Sequence, residues 1–431
     1  MSRSHVTGPA PKTGGNPIVI IGALFFLLGF VTWLNSLLIP YLEIACELTK
    51  FQSYFVVFAF YIACLVMAPV STRILGAFGF KNGMSIALII MTVGALLFIP
   101  AAWTRTYEIF LLGLFVMGSG SAILQTASNP YITIVGPPES AAQRISIMGI
   151  CNKLAGATAP LILGLFLHLD KADALRSDIT GMTLEAKNLA LDQMAHRVIT
   201  PYIGIIAVLL VLAFWVYKSG LPEIDTDKED ETIASSNTGK SSIFHFPHVI
   251  LGVITLFLYV GVEVIAGDTI ISYGSSQGIP LSTAKYFATG TMVCMVLGYI
   301  TGIIAIPRYI KQENALKVCA ILGLTFSLSA IFSSGYVSLA FIALLGMANS
   351  LMWPSIWPLA LAGLGRFTKV ASSLLVMGIA GGAVIPLVYG SLADHWNPQQ
   401  AYWILIPCYA IILYYAISGH NLGRKRKAIE F

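Results

Sequence analysis

Three ionisable side chains stand inside otherwise apolar stretches of the chain and could do chemistry there: Lys153, Glu263 and Asp268. The acids share the segment Tyr259-Val-Gly-Val-Glu263-Val-Ile-Ala-Gly-Asp268, and the base follows Asn152. A charge at the centre of a bilayer costs a few kcal/mol on insertion scales, so each calls for a use or a partner. An acid facing a central cavity can bind a proton or accept hydrogen bonds from substrate hydroxyls. The competing reading is structural: one acid pairs with Lys153, or caps a loosened helix. Positions five apart lie about 140° apart around a straight helix, so the two acids share a face only if Gly267 loosens it. Asp268 also lies nearer the end of its span, which favours Glu263 for the cavity. For Lys153 a gating ion pair and direct substrate contact are equally open.

Uncharged polar groups form a second constellation: Asn35, Gln125, Asn129, Asn152 and Asn349. Gln125 and Asn129 are four apart and line one helix face. An amide both donates and accepts hydrogen bonds, which suits the mixed edge of a sugar. The alternative is that these amides tie helices to one another. Trp33, Tyr259, Trp353 and Trp357 sit at similar depths, where a flat ring can stack on the C–H face of a pyranose or simply pack. No metal or cofactor is implied. The seven histidines fall in loops, tails or span ends, and the six cysteines show no ligand spacing. An intramembrane hydrolase would need a paired acid set, a Ser–His set or a metal cluster, so an enzyme is not expected. A sugar sensor would need a cytoplasmic output domain, for which the linker is too short.

The elements that must position these groups are membrane helices. The chain is 57% hydrophobic and 10% charged, against about 25% charged in ordinary soluble proteins. Its apolar residues run in stretches of about 20, the length that crosses a core of about 30 Å. Uninterrupted runs such as 18–34 exclude the alternating strands of a β-barrel. Spans are predicted near 17–41, 51–76, 83–103, 108–136, 142–168, 199–218, 249–274, 281–306, 315–334, 336–364, 368–391 and 401–420. An N-terminal tail over 1–16 leads into a six-helix bundle over 17–218. A polar linker over 219–247, containing DTDKEDE, separates it from a second bundle over 248–420 and a basic tail over 421–431. With the N terminus in the cytoplasm, seventeen of the 25 Lys and Arg lie on that side and seven on the other. Both termini are therefore expected in the cytoplasm. The net charge of +5 is too small to suggest nucleic acid.

An internal repeat relates the halves. Gly156-Ala-Thr-Ala-Pro160-Leu-Ile-Leu-Gly164 in span five returns as Gly382-Ala-Val-Ile-Pro386-Leu-Val-Tyr-Gly390 in span eleven. One span earlier, Asn129-Pro130-Tyr131 and Trp353-Pro354-Ser355 place a proline alike. Two pseudo-symmetric six-helix bundles joined by a cytoplasmic linker make an all-α membrane protein of the major facilitator layout.

Particular residues then resemble the fucose:proton symporter family of that superfamily. They are Leu34-Asn35-Ser36-Leu-Leu-Ile-Pro40, Gln125-Thr-Ala-Ser-Asn129-Pro130-Tyr131, and the Gly136-Pro-Pro-Glu139 loop leading to Arg144. The resemblance covers almost the whole chain and implies a sugar as substrate. Two departures matter. Fucose carriers have aspartate where this chain has Ser36 and glutamate where it has Gln125, and those acids handle protons and sugar in the family. Glutamine at the second place, with a glutamate matching Glu263, looks like the glucose/galactose branch. Trp33-Leu-Asn35, Ile44-Ala-Cys46-Glu47-Leu48, Arg144-Ile-Ser-Ile-Met148-Gly149, Asn152-Lys153 and the stretch from Tyr259 to Asp268 look like N-acetylglucosamine permeases.

The expected protein imports a hexose or amino sugar by alternating access, N-acetylglucosamine or glucose being favoured. A proton exchanged on Glu263 is the expected coupling, with an uncoupled facilitator as the alternative. It is expected to work as a monomer in the bilayer of a bacterial inner membrane.

Overall fold

The computed structural model describes residues 17–134, 141–178, 181–221, 242–306, 309–362, 364 and 367–423. Both tails, most of the predicted linker and the Gly136–Glu139 loop lie outside these residues. Among the described residues, eleven helical runs are long and apolar enough to cross a membrane. One of them, Lys50–Thr104, is 55 residues long, and at about 1.5 Å per residue it would cross a bilayer core more than twice. It turns back at Gly79, whose φ of 78° and ψ of 170° are non-helical and open to glycine because it lacks a Cβ. The run is therefore two spans, and eleven becomes the expected twelve.

The stretch between spans five and six forms two helices, Leu169–Asp178 and Leu184–His196. Thr183 caps the second. The second helix lies over the ends of spans one and three. The Tyr41 hydroxyl donates to the Met194 carbonyl at 2.8 Å, Arg105 pairs with Asp192, and Lys187 pairs with Glu47.

Position in the bundle follows side-chain character. Every residue from Tyr259 to Gly274 in span seven is buried, which marks a helix with protein on all sides. Span six, Ile199–Lys218, instead exposes Val211 and Phe214, which the hydrocarbon of a bilayer would cover. Span five packs along span eight, and span two along span eleven; these contacts join the halves. The repeated glycines sit on these seams. A Cβ on Gly164 would lie 3.2 Å from Lys285 Cδ, one on Gly382 would lie 2.9 Å from the Tyr61 ring, and one on Gly390 would meet the Tyr54 ring. Small residues let backbones approach where lipid offers no hydrophobic drive to associate. The repeat thus marks where the halves touch.

At the end away from the chain termini the halves are closed. Leu37, Leu38, Tyr54, Ile270, Ile271 and Tyr389 are fully buried there, and Tyr54 meets Tyr389 edge to face at 5.5 Å. Two carboxylates fasten this end by capping helix starts of the opposite half. Asp394, ending span eleven, accepts from the backbone N–H groups of Lys50 at 2.9 Å and Phe51 at 2.8 Å. Asp173, just beyond span five, accepts from the N–H groups of Leu281 at 2.8 Å and Ser282 at 3.2 Å. The two caps sit on corresponding elements, each satisfying helix donors that have no partner within their own helix. Lys50 adds a tie, reaching both Glu43 oxygens and Ser272.

An anion at an exposed helix N-terminus stabilises by about 0.3–1 kcal/mol. Asp394→Ala and Asp173→Ala should each shift the molecule away from this closed form by roughly two- to fivefold on that scale. A cysteine replacing buried Tyr54 reports the shift through its labelling rate by a water-soluble maleimide. Unchanged labelling in both variants would show that the caps do not hold this end shut.

Candidate functional site

A cavity of about 130 Å³ lies between the halves, with walls from spans one, two, four, five, seven, ten and eleven. Six residues singled out in the sequence line it: Trp33, Gln125, Asn152, Lys153, Glu263 and Trp353. Thr32, Tyr61 and Cys64 also line it. These were not anticipated, because nothing in the sequence of spans one and two separates the cavity face of Thr32, Tyr61 and Cys64 from a packing face. A larger groove of about 700 Å³ opens between spans one, five and six, but Thr200 supplies the one side-chain hydroxyl among its lining residues. Without convergent polar groups it suits hydrocarbon better than a hydroxylated solute.

The centre of the polar cavity is an ion pair between the halves. Lys153 Nζ of span five donates to Glu263 Oε1 of span seven at 2.6 Å, and both side chains are about nine-tenths buried. The same ammonium lies 4.4 Å from the centre of the Trp33 ring, on span one. It is therefore compensated twice, by a carboxylate and by the negative face of an indole. Trp33 is wedged against Gly156 and Gly267, where no side chain could stand. Its indole N–H has no hydrogen-bond partner among the described residues. The Tyr259 ring is buried and outside the cavity lining, and its centroid lies 6.4 Å from that of Trp353.

The amides divide. Gln125 Nε2 donates to Ser121 at 3.1 Å, and Asn152 Nδ2 donates to the Phe25 carbonyl at 3.3 Å, each still bordering the cavity. Asn129, one turn beyond Gln125, is exposed and does not line it. Asn35 is buried but outside the lining, since two residues beyond Trp33 is about 200° around the helix. Asn349 is fully buried and accepts from the Tyr409 hydroxyl at 2.9 Å, an interhelical bond. Trp357 lies behind Trp353, the two rings stacked at 5.2 Å and 18°. Asp268 is fully buried and apart from the lining. Span seven does not bring the two acids onto one face. Its irregularity comes at Thr269, after Asp268 rather than between the acids.

Of the two neutral residues noted in spans one and four, Gln125 borders the cavity and Ser36 lies outside its lining. Ser36 turns its hydroxyl onto the Trp33 carbonyl at 2.9 Å, and Gln125 is uncharged. Among the described residues no three His, Cys, Asp or Glu side chains come together as a metal site.

A polar cavity between two six-helix halves, sealed at one end, defines a multi-pass membrane transporter rather than an enzyme. The chain matches the Major Facilitator Superfamily over residues 21–377 and belongs to it. It is 33% identical over 422 residues to the glucose/galactose transporter of Brucella abortus (strain 9-941), covering 96% of this chain and 97% of that one. It is 30% identical to the L-fucose-proton symporter of Escherichia coli K12, covering 93% and 92%. The crystal structure of the E. coli fucose:proton symporter in the outward conformation superposes with a TM-score of 0.68 at 28% identity, over 93% of this chain and 97% of that one. A D-xylose-proton symporter, at 14% identity and TM-score 0.69, shares the fold over 95% and 98%.

Removing one partner of a buried ion pair costs about 3–5 kcal/mol, whereas replacing both can be nearly neutral. Lys153→Met and Glu263→Gln alone should therefore lower the unfolding midpoint in detergent clearly. The double variant should recover most of the loss. Additive losses would show that the two side chains are not coupled.

Proposed function

We propose that this protein is a secondary active sugar transporter that imports a hexose or amino sugar by alternating access, coupled to protons. N-acetylglucosamine and glucose are the favoured substrates. In this reading it works as a monomer in a bacterial inner membrane with both termini in the cytoplasm. The observation that carries the proposal is the Lys153–Glu263 bond between the halves in the wall of the polar cavity. Beside it stand the amides of Gln125 and Asn152 and the rings of Trp33 and Trp353. A sugar offers hydroxyls that can bond both charges and the amides, and a C–H face that can meet a ring. Binding there would compete with the bond that ties the halves, linking occupancy to their movement.

Similarity to the Brucella glucose/galactose transporter supports a hexose, and similarity to the E. coli symporter supports proton coupling. The residues around Trp33, Lys153 and Glu263 that resemble N-acetylglucosamine permeases favour the amino sugar. With Ser36 and Gln125 neutral, coupling falls to span seven and Lys153. If those charges serve structure alone, the protein is a facilitator that equilibrates sugar without a gradient.

Uptake of labelled N-acetylglucosamine and glucose into proteoliposomes, with and without an imposed proton gradient, tests both parts. Accumulation above the external concentration is expected with the gradient alone. Uptake indifferent to the gradient would leave a facilitator, and uptake of neither sugar would remove the substrate assignment.

A further inference from the structure

Among the described residues, Asp268 is the one fully buried acid, and the ion pair does not use it. Its side chain is fully buried, and neither carboxylate oxygen has a hydrogen-bond partner among the described residues. The charged groups that act on it electrostatically are Lys153 of span five and Glu263 of its own helix. Lys153 is held by Glu263 at 2.6 Å, and the step of about 140° between the acids prevents one ammonium from clasping both on a regular helix. The Thr269 hydroxyl is committed to the Ile265 carbonyl and the Tyr402 hydroxyl. Asp268 also closes the helix Pro247–Asp268, at the terminus where backbone carbonyls repel an anion. Beside it Gly267 is covered by the Trp33 ring.

A carboxylate ion in that position would be a fully buried charge without a hydrogen-bond donor among the described residues, its nearest cation already held by Glu263. The neutral acid avoids most of that desolvation cost. We infer that Asp268 is the coupling-proton site, carried as the neutral acid while it is sealed from water at both ends, and that the Glu263 carboxyl serves instead as the fixed partner of Lys153. The inference rests on the symport reading above and divides the two acids by role. The step is simple protonation. When that end opens and water reaches Asp268, its carboxylate takes a proton from hydronium, leaving water. Only the uncharged side chain is then compatible with closure. Closing that end therefore carries one proton into the sealed form, and when the opposite end opens the acid gives that proton to entering water as hydronium, which completes its passage across the membrane. This also gives the expected proton a seat that Glu263, fastened to Lys153, supplies poorly.

The test is transport by full-length Asp268→Asn in proteoliposomes, with Asp268→Leu as the second variant. Both mimic the neutral state, so each should fold, and each should exchange labelled for unlabelled sugar across the membrane without a gradient. Each should lose gradient-driven accumulation entirely, and sugar addition in weak buffer should no longer move protons. The inference is overturned if either variant still accumulates sugar on a proton gradient. Failure of both variants to fold would also overturn it, since an acid without hydrogen bonds holds nothing together, whereas an ionised partner of Lys153 would. If wild-type uptake is itself indifferent to the gradient, the symport reading fails and this one with it. If wild type is driven by protons and the variants are too, only the assignment to Asp268 fails.

Discussion

An ammonium about nine-tenths buried must be compensated by protein, and Lys153 organises the middle of this molecule for that reason. Its nearest anion, Glu263, belongs to the opposite half, so compensating the charge also draws the halves together. The Trp33 ring stands over the same ammonium, which brings span one to the junction of spans five and seven. Gly156 and Gly267 leave room for that ring. The continuous burial of span seven from Tyr259 to Gly274 follows, because the helix carrying the anion must be enclosed from every side. Ion pair, indole and glycines form one arrangement. Removing one charge leaves the other bare, and enlarging either glycine makes a clash with the ring.

The pair also explains why the cavity suits a neutral polar solute. Both charges border it, yet they cancel, so the walls present hydrogen-bonding capacity with little net field. The rings of Trp33 and Trp353 supply flat surface, and Gln125 and Asn152 supply mixed donors and acceptors. The apolar groove between spans one, five and six is larger but offers almost nothing to bond a hydroxyl. Size alone would favour the groove, whereas the polar groups of the walls favour the cavity.

Pseudo-symmetry appears in the contacts as well as in the topology. Glycines of spans five and eleven press against the opposite half. Carboxylates just beyond or at the ends of the same two spans cap helix starts across the seam. Each seam is thus close packing along its length with a polar fastening at its exposed end. Close packing between rigid helices survives a change of angle, and an exposed cap can dissociate at a cost of about a kcal/mol or less. That combination suits two bodies that rock against each other.

Span number, the helical class, the two halves and their repeat were legible in the sequence, because a bilayer imposes length and apolarity on each segment separately. The rarity of charge inside spans likewise marked Lys153, Glu263 and Asp268 without any knowledge of contacts. Which of them would pair was not legible, because it depends on how spans five and seven are rotated toward each other. Rotation also removed Asn35 from the cavity wall, and packing put the Asn349 amide on Tyr409 instead of facing the cavity. Tyr61 and Cys64 entered the cavity from span two with no mark in the sequence. The caps by Asp173 and Asp394 were equally hidden, being loop acids like many others until the opposing helix starts are placed beside them. By itself the sequence determined what each segment could be, since burial in lipid acts on one helix at a time. The tertiary structure decided which polar groups meet, since a hydrogen bond requires two helices at a particular rotation and depth.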